Sequence, residues 1–249
     1  MIVERAMDAN WLSNTYLVAD KPGGHAVLID TGGPIEPILD KIVKHRLTVS
    51  HVLCTHHHID HIAHNADYKA RFGCPVCGHA KERELFGGLD LELGDGDELT
   101  TGGLHIRALH VPGHTQGQLA YLVNDARVFT GDTLFRDSVG GTRAPGHASF
   151  EELRHSIMEV LMRLPKDTRV LPGHTEPTTI GDEWERNPFI RAWRGVEASR
   201  ETRCTAFGLP ATLLLRAHDY DGGTKCWVRF DDGNRLDVVP GSKVEDLAP

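Results

Sequence analysis

The residues best suited to chemistry in this chain are its histidines, which are both numerous and clustered. The chain holds 16 histidines among 249 residues, and His56, His57, His58 and His61 fall close together beside Asp60. Imidazole is a frequent metal ligand, and neighbouring rings repel each other once they are protonated. A cluster this dense therefore predicts a metal site.

The spacing H-x-H-x-D-H fits two metal ions better than one. His56 and His58 are two residues apart, so their side chains point to the same side in an extended segment. Asp60 and His61 follow where a helix is predicted to begin, and they would face a second ion near the first. Three histidines suit Zn²⁺. His57 points away from its neighbours by alternation and is left out of the ligand set.

Three further candidates follow predicted strands. His114, Asp132 and His174 each lie on a loop directly after a strand, and a glycine precedes each of them. Glycine allows the backbone to turn sharply and to approach a site closely. The carboxylate of Asp132 could offer one oxygen to each of two ions, and so bridge them.

The elements that must position these loops alternate between strand and helix. Short β-rich runs predict strands at 15–19, 26–30, 51–54, 105–110, 120–123, 127–130 and 168–171. Helical periodicity predicts helices at 35–45 and 150–164, the second opened by a capping box of Ser149 and Glu152, and helical content around 187–203. The histidine cluster follows the carboxyl end of a strand, where open α/β sheets usually bind ligands.

The C-terminal region differs in character. Three short strands are predicted at 212–216, 225–230 and 236–239, separated by turns rich in Asp and Gly. We therefore divide the chain into a catalytic domain, 1–204, and a small β-rich extension resembling an SH3 or Tudor barrel, 205–249, docked on it. Tyr220, Trp227 and Phe230 either line a binding groove of this extension or form its core, and the core is favoured.

Composition narrows the partners and the location. The chain carries 27 Lys and Arg against 35 Asp and Glu, a net charge of −8, which argues against a nucleic-acid partner. No apolar run approaches the roughly 18 residues that span a bilayer, and the first ten residues do not form a secretory signal. These features predict a cytoplasmic protein without a membrane partner. Cys74 and Cys77 form a lone C-x-x-C pair, which supplies only half of a tetrahedral metal site.

Four motifs, in this order, resemble the metallo-β-lactamase superfamily and most closely its glyoxalase II branch, the hydroxyacylglutathione hydrolases. They are T-H-H-H-I-D-H at 55–61, G-H-T-Q-G-Q at 113–118, G-D-T-L-F at 131–135 and P-G-H-T at 172–175. The resemblance covers about residues 10 to 190. It implies an α/β fold, a four-layer αβ/βα sandwich with the metals at one edge, to which the β-rich C-terminal appendage is added.

The resemblance also implies roles for individual residues. His56, His58 and His114 would hold the first metal, and Asp60, His61 and His174 the second, with Asp132 bridging the two. The implied cofactors are two divalent ions, with zinc favoured over iron or manganese.

The function implied first is hydrolysis of a small-molecule thioester, an acyl-glutathione or a related compound. Two cations that share a water lower its pKa, so that a metal-bound hydroxide can attack the thioester carbonyl. Asp60 and Asp132 would be catalytic by binding and orienting the metals and the hydroxide. No G-x-S-x-G nucleophile motif occurs. The C-terminal region does not resemble the helical region with which longer glyoxalase II enzymes contact glutathione, so the thiol stays open.

A second function keeps the fold and changes the chemistry. Persulfide dioxygenases resemble this family closely and hold a single iron at positions equivalent to His56, His114 and Asp132, a set that suits non-haem Fe(II). Another hydrolase of the metallo-β-lactamase fold is the remaining alternative. The segment Gly140-Gly141-Thr142 departs from the G-R-T usual in both branches, and this departure favours neither.

Overall fold

Two six-stranded sheets pack face to face in the residues that the structure, a computed structural model, describes, 1–197 and 201–247. The first sheet contains, in spatial order, β1 (Ile2–Met7), β2 (Asn14–Ala19), β3 (His25–Ile29), β4 (Thr48–Leu53), β5 (Val76–His79) and β6 (Leu91–Leu93). Strands β3 to β6 run parallel to one another. Their carboxyl ends therefore meet at one edge of the sheet.

The second sheet covers the first. In chain order, its strands are β7 (Glu98–Thr101), β8 (Leu104–His110), β9 (Leu119–Val123), β10 (Arg127–Gly131), β13 (Arg169–Pro172) and β14 (Thr178–Thr179). Between β10 and β13, the chain forms a separate short hairpin of β11 (Leu134–Phe135) and β12 (Ser138–Val139). The sheet order is β14-β13-β10-β9-β8-β7, and β10 pairs with β13 in parallel. Every residue of β2 and of β9 is buried, as expected for strands covered on both faces.

Six α-helices flank the sheets in the described residues: α1 (Ile35–His45), α2 (Ile59–Ile62), α3 (Asn65–Phe72), α4 (Phe150–His155), α5 (Ile180–Arg186) and α6 (Pro188–Trp193). The predicted helix 35–45 is confirmed. The predicted helix 150–164 begins at the expected capping box, continues as a π-helical turn, Ser156–Val160, and ends as a 3₁₀ turn, Leu161–Arg163. None of the described helices has the length and apolar character required to cross a bilayer.

Three apolar cores bind these layers together. Ile38 of α1 and Tyr68 of α3 pack on the outer face of the first sheet. Tyr16 and Phe129 fill the space between the sheets, with their rings edge to face at 5.1 Å. Helices α4 to α6 pack on the outer face of the second sheet, where Phe189 is fully buried. The predicted four-layer αβ/βα sandwich is thus confirmed.

A separate antiparallel sheet follows the sandwich. Its strands are β15 (Thr202–Ala206), β16 (Leu209–His218), β17 (Thr224–Phe230), β18 (Leu236–Pro240) and β19 (Val244–Asp246), in the order β18-β17-β16-β15-β19. The prediction of helical content to residue 203 is wrong at its end, because Thr202 and Arg203 pair with β16; its residues 198–200 lie outside the described part of the chain. The division at 204/205 remains a prediction.

The aromatic side chains of this C-terminal sheet divide between its two faces. Phe230 is buried in the sheet's own core with Cys204 and Cys226. Trp227 points the other way and stacks on Phe150 of α4, with ring centroids 5.7 Å apart. Val238 belongs to the same core as the helices of the outer layer. The sheet therefore packs directly on the sandwich.

Candidate metal centre

Seven polar side chains meet at the edge of the sandwich where the parallel strands end. Segment 55–61 follows β4 and leads into α2, the β8–β9 connection carries one histidine, and two further residues follow β10 and β13. The structure brings together all seven residues predicted from the sequence: His56, His58, Asp60, His61, His114, Asp132 and His174.

Six of these side chains form two groups of three, and a third group, His56, His61 and Asp132, links the two. In the first group, Nδ1 of His58 lies 3.0 Å from Nε2 of His56 and 3.0 Å from Nε2 of His114. In the second group, Nε2 of His61 lies 3.3 Å from Nε2 of His174. Oδ2 of Asp60 is 3.6 Å and 3.5 Å from these two nitrogens. Such close approach of donor atoms, three at a time, is the arrangement that a cation requires.

Asp132 lies between the two groups. Its Oδ1 is 3.3 Å from Nε2 of His61, and its Oδ2 is 3.2 Å from Nε2 of His174 and 3.6 Å from Nε2 of His114. Oδ1 is buried and, apart from this ion-pair distance to His61, has no hydrogen-bond partner among the described residues. A buried carboxylate oxygen without a partner is costly, and a bound cation would satisfy it.

The outward nitrogens of two histidines are fixed through Asp30, a buried residue that directly follows β3. Its Oδ2 accepts a hydrogen bond from Nδ1 of His61 at 2.9 Å and another from the hydroxyl of Thr55 at 2.8 Å. Because that hydroxyl donates to Asp30, its oxygen can accept from Nδ1 of His56, 3.0 Å away. Both rings therefore direct Nε2 into the centre.

Backbone carbonyls do the same for the other three histidines. A ring nitrogen that donates to a carbonyl leaves the opposite nitrogen available to a metal. The acceptors are the carbonyl of Pro145 for Nε2 of His58 at 2.9 Å, of Gly141 for Nδ1 of His114 at 2.9 Å, and of Trp11 for Nδ1 of His174 at 3.0 Å. All five histidines thus have an outward acceptor, and the donor set fits two cations.

Burial and charge set the protonation of these groups. Burial lowers the pKa of His56 well below its ordinary value and lowers that of His114 to about 4. Burial also opposes the charged form of His61, but the carboxylates of Asp132 and Asp30 outweigh it and raise the His61 pKa well above the usual range. Without metal, His56 and His114 are neutral and ready to bind, whereas His61 must release a proton.

Two glycines let the backbone pass close to the centre. Gly131 has a φ of 48°, in the left-handed region that favours glycine. At Gly173, a Cβ atom would lie 2.3 Å from Oδ1 of Asp132 and 2.7 Å from Cε1 of His61. At both positions, the backbone conformation or the available space therefore explains why a glycine precedes the ligand.

Sequence reasoning missed two buried carboxylates that support the centre. Asp30 could have been predicted, because it is a charged residue at the carboxyl end of the predicted strand 26–30. The next predicted strand, 51–54, leads to the histidine cluster. Glu82 gave no signal, since it lies in a short 3₁₀ turn among charged residues. Its side chain accepts from the backbone N–H of His57 at 2.9 Å and of Gly117 at 2.8 Å, and its Oε2 lies 2.8 Å from Nδ1 of His57. His57 therefore faces away from the ligand groups.

Comparisons with known proteins agree on the family. Residues 9–174 match the metallo-beta-lactamase superfamily. A hydroxyacylglutathione hydrolase of Haemophilus influenzae is 33% identical over 188 residues, which cover 68% of this chain and 88% of that protein. All seven residues lie within the span of the family match, which ends at His174, so the C-terminal sheet lies outside it.

Many solved structures are similar to this chain, among them the following two. ETHE1 from Myxococcus xanthus has a TM-score of 0.70 and 32% identity, covering 77% of this chain and 85% of that one. TTHA1623, solved in a di-iron-bound form, has a TM-score of 0.63 and 33% identity, covering 75% of this chain and 100% of that one. The fold and the His/Asp cluster together indicate two divalent metal ions.

Proposed function

Because the chain belongs to the metallo-β-lactamase superfamily, we propose that it is a metal-dependent hydrolase of the glyoxalase II type that cleaves a thioester of glutathione or of a related thiol. The observation that carries the proposal is the position of Asp132 between two groups of three ligand atoms. A centre of this form suits two cations a short distance apart, which is a common arrangement in metallohydrolases.

The proposed ligand assignment follows the two groups. One ion would be held by His56, His58 and His114, the other by Asp60, His61 and His174, with Asp132 contacting both. We propose zinc as the native metal, because five of the seven donors are imidazoles. Two divalent ions bound there would lower the pKa of a water and polarise the thioester carbonyl.

The protein's own residues position the reactants. Asp132 is almost fully buried, so its task is to hold the two ligand groups at a fixed separation. Asp60 is the more accessible carboxylate, with 23% of its side chain exposed, and it can accept a hydrogen bond from the attacking water. Attack at the carbonyl carbon forms a C–O bond, and the C–S bond then breaks to release a carboxylic acid and a thiol.

A second candidate is the oxidation of a persulfide by O₂, for which His56, His114 and Asp132 would hold a single iron. The likeness to ETHE1, a persulfide dioxygenase, supports it. Oδ2 of Asp132 lies 3.6 Å from Nε2 of His114, and His56 shares one set of closely spaced ligand atoms with His114 and another with Asp132. Two histidines and one carboxylate suit non-haem Fe(II). The second ligand group around His174 does not exclude this candidate, because such residues can persist without a metal, so the metal content distinguishes the two.

Metal content and two activity assays distinguish the candidates. The protein is purified without added metal or chelator, its metals are measured by mass spectrometry, and it is assayed for thiol release from acyl-glutathione and for oxygen uptake with glutathione persulfide. Two zinc ions per chain with thiol release are expected. One iron with oxygen uptake and no thiol release would replace the hydrolase by the dioxygenase. His114→Ala should abolish the activity found, and His105→Ala, at an exposed histidine near the start of β8, serves as the matched control.

A further inference from the structure

A side chain from the C-terminal sheet lies directly on the second ligand group. Tyr220, in the turn between β16 and β17, stacks on the imidazole of His174 with ring centroids 4.4 Å apart and an angle of 15° between the planes. Phe135 packs beside both rings, 4.7 Å from Tyr220 and 5.8 Å from His174. The family match ends at His174, so this contact comes from a part of the chain outside it.

The turn that carries Tyr220 is firmly anchored. The preceding residue, Asp219, accepts a hydrogen bond from the hydroxyl of Ser138 at 2.8 Å and pairs with Lys225 at 3.0 Å. The side chains of this ion pair are each only 7% exposed. The ammonium group of Lys225 also lies 5.2 Å from the centroid of the Tyr220 ring. Removing either partner of a buried pair is costly, so this turn is held in one position.

A second contact reaches the other ligand group. The N–H of Thr142 donates to the carbonyl of Val238 in β18 at 2.9 Å, and the N–H of Val238 donates to the hydroxyl of Thr142 at 2.9 Å. The adjacent residue, Gly141, provides the carbonyl that accepts from Nδ1 of His114. The C-terminal sheet therefore supports one histidine in each group.

The need for this support is clearest at His174. Its ring has one outward hydrogen bond, from Nδ1 to the carbonyl of Trp11, which restrains the position of Nδ1 but leaves the faces of the ring to be held by packing. Stacking by Tyr220 fixes the plane of the ring. With both contacts in place, Nε2 of His174 is directed at Asp60 and Asp132.

We propose that the C-terminal sheet is a working part of the metal centre and that Tyr220 is a positioning residue, whose ring holds His174 in the orientation that binds the second ion. This inference rests on the proposed ligand assignment. Residues that contact a metal ligand without binding the metal themselves typically matter for metal affinity. Their removal lowers that affinity by about 10- to 100-fold. A binding module that merely happened to be attached would have no such effect.

Single substitutions test the inference better than removal of the sheet. Trp227 and Val238 contribute to the core of the outer helical layer, so truncation would expose that core. The test variant is Tyr220→Leu, which keeps an apolar side chain at the position and removes the aromatic plane. Tyr220→Phe keeps the plane and removes the hydroxyl. Trp227→Leu is the matched control, because it removes another ring with which the same sheet contacts the sandwich.

The measurement is a stepwise zinc titration against a chromophoric chelator, together with the thermal midpoint of the zinc-free protein. In Tyr220→Leu, we expect the affinity for one of the two zinc ions to fall by about 10-fold, the lower end for a supporting group, while the other is unchanged. Tyr220→Phe should bind both ions like the wild type. Trp227→Leu should lower the thermal midpoint and leave both affinities unchanged. Tyr220→Met carries the same expectation as Tyr220→Leu if the latter does not fold.

The outcomes separate this inference from the proposed function. His174→Ala should lose one zinc ion and thereby report on the ligand assignment itself. If His174→Ala loses that ion and Tyr220→Leu binds both as tightly as the wild type, the inference is overturned and the assignment stands. Equal weakening of both ions in Tyr220→Leu and Trp227→Leu would also overturn it, because the effect would then be one of general stability. A wild-type protein that binds fewer than two ions contradicts both.

Discussion

Oδ2 of Asp30 lies 2.9 Å from Nδ1 of His61, on the side of the imidazole opposite Asp132. The same oxygen accepts a hydrogen bond from the hydroxyl of Thr55, and this hydroxyl in turn orients His56. Asp30 is only 2% exposed. A residue that is not itself a proposed ligand thus determines the direction of two that are, one from each group.

The first prediction follows from this arrangement. In Asp30→Asn, the side chain keeps its size but loses its charge. It can therefore no longer accept hydrogen bonds from both His61 and Thr55 as strongly as the carboxylate does. We expect zinc affinity to fall by about 10- to 100-fold, with activity reduced to match. Chelator competition measures the affinity. Asp125→Asn, at a carboxylate 88% exposed on a turn, is the control, and a similar loss there would point to a nonspecific charge effect.

The second prediction concerns Asp132. Replacement by alanine removes the only proposed ligand that faces both groups, so Asp132→Ala should lose hydrolytic activity and bind less metal. Asp132→Asn preserves the volume and separates loss of charge from formation of a cavity. Metal content and the rate of thiol release are measured on the same preparation. Normal turnover with one metal bound would exclude a bridging role.

Much of the centre could be predicted because its ligands follow local rules. Each of His114, Asp132 and His174 comes after a glycine at the end of a short apolar strand, and this pattern is visible without tertiary information. Glu82 is different, since its partners Gly117 and His57 are distant in sequence and only the fold brings them together.

The C-terminal sheet shows the same limit. The alternation of residues in β17 predicted a strand, but not that Trp227 would face the sandwich while Phe230 faces the sheet's own core. Tyr220 was predicted to line a groove of the C-terminal extension or to lie in its core, and neither prediction describes its position on His174. Contacts between separate sheets depend on how they dock, and strand periodicity carries no information about docking.

The third prediction is a dependence of stability on pH. Burial raises the pKa of Glu82, but hydrogen bonds from His57, Thr115 and Gly117 outweigh it, so the pKa lies below its ordinary value of 4.5. The unfolded chain therefore binds the proton first as the pH falls. The stabilisation by Glu82 is complete above the unfolded-state pKa and is lost as the pH falls from about 4.5 through the lower folded-state pKa.

Glu82→Gln tests this sign. The variant should be less stable than the wild type by about 1–3 kcal/mol at neutral pH, because it weakens hydrogen bonds to a buried charge. The difference should shrink as the pH falls below 4.5. Urea unfolding of the metal-free protein at a series of pH values measures it. Glu84→Gln, at an exposed neighbour, should show no such trend, and a difference that grows in acid would contradict the assignment of a lowered pKa.

The last prediction uses the close approach of Gly173 to the centre. In Gly173→Ala, the new methyl group would lie 2.3 Å from Oδ1 of Asp132 and 2.7 Å from Cε1 of His61, so at least one of these side chains must move. Overpacking of this kind costs about 1–3 kcal/mol, and here the displaced side chains belong to proposed ligands of the two ions. We therefore expect a lower thermal midpoint and a larger loss of zinc affinity than the stability change alone would produce. Gly94→Ala is the matched control, because its nearest contact would be 3.7 Å away. Full zinc affinity in a destabilised Gly173→Ala protein would mean that the chain relaxes around the methyl group without disturbing Asp132.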